Sequence, residues 1–342
     1  MVGFYQLSQA ARWLRKRFES RAIILMYHSI ANVGSDPWGL RVQASHFAEH
    51  LAVLRKHACP MSLQQLVQAQ QKGNIPNRAV VVTFDDGYAD NLYNAKPLLE
   101  KYNIPATIFV ASGWIGKACE FWWDELDRLL LQPGRLPQTL DLNINDHIYH
   151  WDLGQAADYS EDDYRHYRYH NVWQSKPGSR LALYYSVWQL LRLLPQDQRQ
   201  QAIEDIRVWA GAEPVARLTH RSLSVEELRS LEAGELIEIG AHTITHPFLS
   251  AHPAASQWAE IWQSKVQLEE IFDHPVTSFS YPHGDYTSET LRLVEEAGFR
   301  CACSIVAESA WKKSGRFQLP RFDVQDWSGA EFNKRLSQWF HH

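Results

Sequence analysis

Short apolar runs rich in β-branched residues recur along this chain of 342 residues. They lie at residues 22–26, 79–84, 107–110, 236–239, 276–279 and 300–306. Uninterrupted apolar runs of about four to eight residues are typical of strands that are buried on both faces. Most of the segments between the runs read as helices, and strands alternating with helices predict parallel β/α units. Six or seven such units favour a barrel over an open sheet.

The helical segments are identified by their spacing and by their caps. In HFAEHLAVLRKH (46–57), Phe47, Leu51 and Leu54 recur at helical spacing. SVEELRSLEAGE begins with a capping box, in which Ser224 is the N-cap and Glu227 follows three residues later. We therefore predict an α/β fold in which helices cover a parallel sheet.

Residues 115–220 interrupt this alternation. FWWDELDRLLLQ reads as a helix, 139–153 alternates apolar and polar residues as a hairpin does, and further helical segments follow. We predict an N-terminal amphipathic helix over 1–20, a barrel over 21–114 and 221–330, and a mostly helical insertion or cap over 115–220. The insertion holds many of the 14 tryptophans. Aromatic faces stack on sugar rings, but Trp and Tyr at helical spacing more often form core.

Composition excludes several classes of protein. The formal net charge is −5 and no long basic run occurs, so a nucleic-acid partner is not expected. No window holds the roughly 18 apolar residues that span a bilayer, and the basic residues at 12–17 are not followed by the apolar core of a secretory signal. We expect a cytoplasmic protein. Residues 4–18 have an apolar face flanked by basic residues, which fits either a peripheral membrane contact or an ordinary surface helix.

The strongest chemical signal is AVVVTFDDGYADN (79–91), where an apolar strand ends on Asp85 and Asp86. Adjacent carboxylates repel each other unless a positive group compensates them, and a divalent metal is one such group. One acid would then ligate the metal while the other acts as a base. The alternative is a pair of turn-forming acids before Gly87, which the helical character of the next segment disfavours.

A second signal is LIEIGAHTITHPFLS (236–250), which places His242 and His246 four residues apart after another apolar strand. Two histidines at this spacing can meet one metal ion, although such pairs also occur by chance. Other polar groups follow apolar runs in the same way: Tyr27 and His28, and Tyr281 and His283. In β/α barrels the carboxyl ends of the strands carry the active site, so these clusters are expected to converge.

Four motifs together resemble those of the polysaccharide deacetylases, the NodB-homology or carbohydrate esterase 4 family. They are TFDDGYADN, HTITHP, YPHG and LPRFDV, and the resemblance covers about 22–114 and 220–328. It implies a distorted (β/α)7 barrel, a metal ion that is usually zinc, and hydrolysis of N-acetyl groups on amino sugars. It makes Asp86, His242 and His246 the metal ligands and Asp85 the general base. It also implies that the backbone N–H of Tyr281 binds the oxyanion.

Two departures from the family pattern matter. The third motif often begins with an arginine that steadies the base, but Ser280 stands there, and Arg321 is expected to take that role. The late Leu-x-His motif that carries the general acid is missing, so we predict His28 as the acid, with His283 as the alternative. Four residues beside the motifs are predicted to contact substrate: Tyr88, Asn91, His283 and Asp323.

The sequence therefore predicts a zinc-dependent N-deacetylase that acts on an N-acetylated polysaccharide, oligosaccharide or lipid-linked glycan. Because a barrel does not fix its substrate, hydrolysis of another amide, an imide or an O-acetyl ester stays open. An inactive glycan-binding module is a third reading, which the intact acids and histidines disfavour.

Overall fold

The computed structural model describes residues 20–32 and 34–341. Its centre is a curled sheet of parallel strands, which we number in chain order: β1 (Arg21–Tyr27), β2 (Ala79–Phe84), β3 (Ala106–Val110), β4 (Ile237–Ala241), β5 (Ser278–Ser280), β6 (Cys301–Cys303) and β7 (Phe322–Asp323). Neighbours pair in the order β6-β5-β4-β3-β2-β1-β7. The predicted amphipathic helix over 1–20 falls almost wholly outside the described residues.

The segment before and within β7 closes the barrel. Leu319 forms a parallel bridge with Cys303 at the end of β6, and three residues later Phe322 pairs with Leu25 of β1. One segment thus contacts both edges of the sheet. The (β/α)7 barrel fold is confirmed, but β7 was not among the apolar runs, because a two-residue strand that ends on an acid carries no apolar pattern. The run at 300–306 forms only the three residues of β6.

The strand sequences explain why the barrel forms. Every residue of β2 and β3 is buried, as is typical of strands covered on both faces by parallel β/α packing. Helices lie between the strands and around them: α1 (Ala44–His57), α2 (Leu63–Lys72), α3 (Lys96–Tyr102), α4 (Trp122–Leu130), α5 (Glu161–Tyr167), α6 (Arg180–Leu191), α7 (Gln196–Trp209), α8 (Val225–Glu232), α9 (Ala254–Phe272), α10 (Ser288–Glu296) and α11 (Gly329–His341). The capping box predicted at Ser224 and Glu227 begins α8.

The insertion has an apolar core of its own. Residues of α4, α6 and α7 pack with a hairpin formed by Thr139–Ile144 and His147–Asp152. The helix and the hairpin predicted here are thus present, while the exact domain boundaries stay a prediction.

Shorter strands lie outside the barrel or at its rim: Ser29–Ile30, Arg41–Val42, Cys59–Pro60, Gly134–Arg135, Asp158–Tyr159 and Ala310–Trp311. Among the described residues, no helix has the length and apolar character needed to cross a membrane.

Candidate active site

The ends of β2 and β4 bring together the acid and the two histidines predicted as metal ligands. Asp86 follows β2 with a left-handed backbone (φ 73°), and Gly87 continues that turn with φ 83°. A side chain at Gly87 would contact Val110 of β3 at 3.1 Å, so the tight turn needs glycine. The turn aims the Asp86 carboxylate across the barrel mouth toward the loop that follows β4.

One Asp86 oxygen faces both histidines. Its Oδ1 lies 3.3 Å from Nε2 of His246 and 3.6 Å from Nε2 of His242. One ligand atom from each of the three residues lies within 4.8 Å of the others, and all three side chains are buried. Two imidazoles and one carboxylate match a catalytic zinc site, which keeps further positions for water and substrate. The donor set therefore fits a divalent metal.

The hydrogen bonds of His242 set which ring nitrogen faces the site. Its Nδ1 lies 2.8 Å from the carbonyl oxygen of Ser280. A carbonyl only accepts, so Nδ1 carries the hydrogen and Nε2 presents its lone pair to Asp86. This is the arrangement in which metal-ligating histidines are held.

The loop after β4 is held in shape by Glu260 of α9. The Oε2 atom of Glu260 accepts hydrogen bonds from the N–H groups of Ile244 (2.8 Å) and Thr245 (2.9 Å), and Oε1 accepts from the Thr245 hydroxyl (2.7 Å). Thr243 and His246, on either side, adopt left-handed conformations with φ 64° and 56°. Such conformations persist only where the surroundings enforce them. Glu260 thereby fixes the direction of His246.

The second acid, Asp85, is bound by Arg321. The guanidinium Nη1 and Nη2 lie 2.7 Å from Oδ1 and Oδ2 of Asp85, respectively. The Ser280 hydroxyl accepts from Arg321 Nη2 at 2.8 Å and lies 3.2 Å from Asp85 Oδ2, to which it donates. The structure thus brings Arg321 to the base, with Ser280 as a third partner.

The two adjacent acids titrate in opposite directions. Burial alone would raise the pKa of Asp85, but the charge and hydrogen bonds of Arg321 hold it well below its ordinary value. Burial raises the pKa of Asp86, and the neighbouring charge of Asp85 raises it further. Asp85 is therefore the ionised member of the pair, while Asp86 needs a positive charge beside it to ionise. A bound cation would supply that charge.

His28 lies at the end of β1, beside the end of β2. Burial lowers its pKa to about 4, although the charge of Asp85 opposes the shift. The ring is therefore neutral near pH 7. Asn91 does not point to a substrate: it is fully buried, and its Nδ2 donates to the carbonyl of His28 at 2.9 Å. Asn91 positions the backbone of His28, so its predicted substrate contact is not supported.

The structure also differs from the prediction at Tyr281 and Tyr88. The Tyr281 N–H donates to the carbonyl of Cys303 at 3.2 Å as part of the barrel ladder, so it is not free to bind an oxyanion here. Pro282 has no N–H, and His283 provides the next amide along the chain. Tyr88 is 1% exposed, and its hydroxyl donates to Asp124 at 2.7 Å. A buried tyrosine whose hydroxyl is bonded to the insertion in this way does not reach a substrate.

The other two predicted substrate contacts lie at the barrel mouth. His283 is partly exposed, packs on His246 with ring centroids 4.4 Å apart, and stacks on Phe248 at 4.1 Å. Asp323 is exposed at the end of β7. Residues that the sequence did not single out include Glu260 and Trp123, whose ring lies 4.7 Å from that of His246. No local pattern marks either of them, because each meets the site only through tertiary packing.

A buried Asp-His-His group beside an ionised carboxylate, at the carboxyl ends of barrel strands, defines a metal-dependent hydrolase. The family model described as "Polysaccharide deacetylase" matches residues 72–134 and 201–302. These segments include Asp85, Asp86, His242 and His246, whereas His28 and Arg321 lie outside them. These two segments of the chain belong to the polysaccharide deacetylase family. The chain is thus a hydrolase acting on carbon–nitrogen bonds.

Several relatives carry related names. The Bacillus subtilis (strain 168) protein YxkH, named as a polysaccharide deacetylase, is 22% identical over 94% of this chain and 77% of its own length. Poly-beta-1,6-N-acetyl-D-glucosamine N-deacetylase of Staphylococcus aureus (strain MSSA476) is 35% identical over 22% of this chain and 27% of the enzyme. The match to the staphylococcal enzyme thus spans about a quarter of its length.

Solved structures share the fold. The Streptococcus pyogenes deacetylase PplD, solved in complex with acetate, superposes with a TM-score of 0.58 at 17% identity, over 94% of this chain and 99% of that chain. IcaB from Ammonifex degensii gives 0.58 at 16% identity, over 94% and 98%. At these identities the likeness concerns the fold alone.

Proposed function

We propose that this protein is a zinc-dependent N-deacetylase that removes acetyl groups from N-acetylated hexosamine units of a glycan, in polymeric, oligomeric or lipid-linked form. The observation that carries the proposal is the Asp86–His242–His246 group, with the Arg321-bound carboxylate of Asp85 beside it. The names of the relatives support N-acetylated glucosamine as the substrate class. Two imidazoles and a carboxylate suit zinc among the common divalent metals.

The residues of the site have separate roles in the proposed reaction. A divalent metal held by the three ligands would polarise the acetyl carbonyl and acidify a water molecule. Asp85 accepts the proton of the attacking water, and Arg321 keeps its carboxylate ionised and oriented. The burial of all these groups excludes bulk water, which strengthens their electrostatic effect on the developing charge.

The leaving amine needs a proton, and we propose that His28 delivers it. The ring lies close enough to Asp85 for that charge to affect its pKa. Because the ring is neutral at rest, it first receives from Asp85 the proton that the attacking water gave up, and it then passes that proton to the amine nitrogen as the carbon–nitrogen bond breaks. Proton transfer by a positioned group typically contributes about 10²–10⁴-fold in rate.

Metal analysis combined with acetate release tests this function. Purified protein should contain about one zinc per chain and release acetate from N-acetylated hexosamine oligomers. Asp85→Asn serves as the matched control, since it keeps the shape of the side chain and removes the base. Acetate release at the wild-type rate from Asp85→Asn, or none from the zinc-loaded wild type, would contradict the proposal.

We also propose a cytoplasmic location, on the sequence prediction alone. Membrane contact through residues 4–18 is a further prediction of the same kind. Fractionation of cells that express the full chain, followed by detection in soluble and membrane fractions, tests both; recovery outside the cytoplasmic membrane would contradict the first.

A further inference from the structure

A row of aromatic side chains leads from the surface of the insertion to the candidate metal site. We call it the aromatic row, and from the outside inward its members are Trp173, Trp38, Tyr185, Trp188, Phe248 and His283. Three of the six belong to the insertion, and the others come from the loops after β1, β4 and β5. Of these residues, only His283 was predicted from sequence, as a substrate contact and as the alternative proton donor.

The rings form a continuous series. Trp173 meets Trp38 edge-on, with centroids 5.9 Å apart, and Trp38 meets Trp188 at 4.3 Å. Trp188 meets His283 at 5.8 Å, and His283 meets the metal-ligand candidate His246 at 4.4 Å. The spacing between neighbouring rings is comparable to the length of one sugar ring.

Much of this row is not buried as ordinary core would be. Trp173 is 71% exposed, whereas Trp188 is 7% exposed and forms the floor of the row. Trp38, Tyr185, Phe248 and His283 are partly exposed. Single exposed aromatic residues are common on protein surfaces. An exposed tryptophan at the end of a row that reaches the candidate metal site is different, because a bound molecule can contact the exposed rings of the row together.

Polar groups border the same surface. A cavity of about 540 Å³ is lined by sequence neighbours of Trp38 and Trp173, and its polar lining includes Gly39, Asn171, Gln174 and Gln325 together with the charged Asp36, Arg41 and Asp326. Gly39 directly follows Trp38, and Trp173 lies between Asn171 and Gln174 in one turn. Aromatic faces next to amide side chains suit a sugar, which has apolar ring faces and a polar edge of hydroxyl and acetamido groups.

We propose that the aromatic row is a glycan-binding platform that holds the sugar units flanking the one being deacetylated. The platform rests on the proposed function and narrows it: the substrate is a linear chain of N-acetylhexosamine units rather than a single sugar. The same aromatic residues would suit a lipid surface, but the row leads inward to His246, and amide side chains next to Trp173 line a polar cavity, which favours a glycan.

The test compares Trp173→Ala with wild type on β-1,4- and β-1,6-linked N-acetylglucosamine oligomers of two to six units. The solvent-exposed Trp173 can be removed without opening the core, and Trp262→Ala, which removes the 43% exposed tryptophan of α9, is the matched control. We expect kcat/KM on the hexamer of the preferred series to fall about five- to tenfold in Trp173→Ala, while the value on the dimer changes less than twofold. Trp262→Ala should match wild type at every length.

Three results would overturn the platform. The first is a kcat/KM on the hexamer that is unchanged in Trp173→Ala, and the second is an equal loss of kcat/KM at every oligomer length. The third is co-sedimentation with phosphatidylcholine–phosphatidylglycerol vesicles that depends on Trp173, combined with a kcat/KM that does not depend on oligomer length. If wild type releases no acetate at all, the proposed function fails separately. The platform is then tested by calorimetric titration with the two hexamers, in which Trp173→Ala should weaken binding and Trp262→Ala should not. Binding of neither hexamer to wild type would refute it.

Discussion

Arg321 binds both oxygens of Asp85, at 2.7 Å each, across 236 positions of sequence. Both side chains are buried, and the guanidinium also donates to the Ser304 carbonyl, to Thr83 and to Ser280. A carboxylate held at this depth stays ionised only because the arginine is present. The pair therefore sets both the charge of the proposed base and the closure of the barrel, because Arg321 lies in the segment that contacts both sheet edges.

Replacing Arg321 by methionine tests this relationship. Loss of one partner of a buried ion pair typically costs about 3–5 kcal/mol, because the other charge is left uncompensated. The stability that the pair gives is present above the unfolded pKa of Asp, about 3.9, and is lost as pH falls through the lower folded pKa. Urea unfolding at pH 7 should show the loss, and the difference between Arg321→Met and wild type should shrink at strongly acidic pH.

The same substitution should move the pH dependence of activity. Without the guanidinium, burial raises the pKa of Asp85, so the acid limb of the kcat/KM profile shifts to higher pH. Arg321→Lys keeps the positive charge but not the two paired hydrogen bonds, so its acid limb should lie between those of wild type and Arg321→Met. An acid limb that stays in place in Arg321→Met would argue against Asp85 as the base.

His242→Ala should lose the metal itself. The variant lacks one of the three ligand atoms that lie within 4.8 Å of one another. Zinc content after dialysis, measured by atomic absorption, should fall well below that of wild type, and activity should fall with it. His252→Ala, which removes a histidine outside this group, is the control. Full zinc occupancy in His242→Ala would contradict the ligand assignment.

His28→Ala should separate catalysis from metal binding. If His28 is the proton donor, kcat falls about 10²–10⁴-fold while the zinc content is unchanged. His283→Ala is measured beside it, because His283 is the alternative donor. Wild-type turnover in His28→Ala would show that His28 has only a structural role at the strand end, and His283 would then be the candidate proton donor.

Glu260→Ala should weaken metal binding without touching a ligand. Its carboxylate holds the Ile244 and Thr245 amides, and so it fixes the loop that directs His246. Loss of a group that orients a metal ligand typically costs about 10–100-fold in metal affinity. Competition with a chelator measures the change. Glu270→Ala, at an exposed position of the same helix, should behave as wild type; equal affinities in both variants would refute the role.

Local sequence was enough to locate the acids and histidines of the site, because each belongs to a short motif at the end of a strand. It was not enough to predict which polar groups are free to contact a substrate or an oxyanion. Tyr88 and Asn91 lie within the strongest motif, yet both are buried, the Tyr88 hydroxyl is bonded to Asp124, and the Asn91 amide nitrogen is bonded to the carbonyl of His28. The Tyr281 amide is bonded to Cys303, a partner 22 positions away that strand pairing alone brings near.

The sequence by itself determined the alternation of buried strands and helices, because apolar periodicity follows from which faces must leave water. Since parallel strands end at one edge, the polar residues after them were bound to meet there. Only the tertiary structure decided that the pKa values of Asp85 and Asp86 shift in opposite directions, because Arg321, which directly precedes the last strand, binds Asp85 and not Asp86. It also decided that the insertion packs the ring of Trp123 against His246, because packing between distant segments leaves no trace in local sequence.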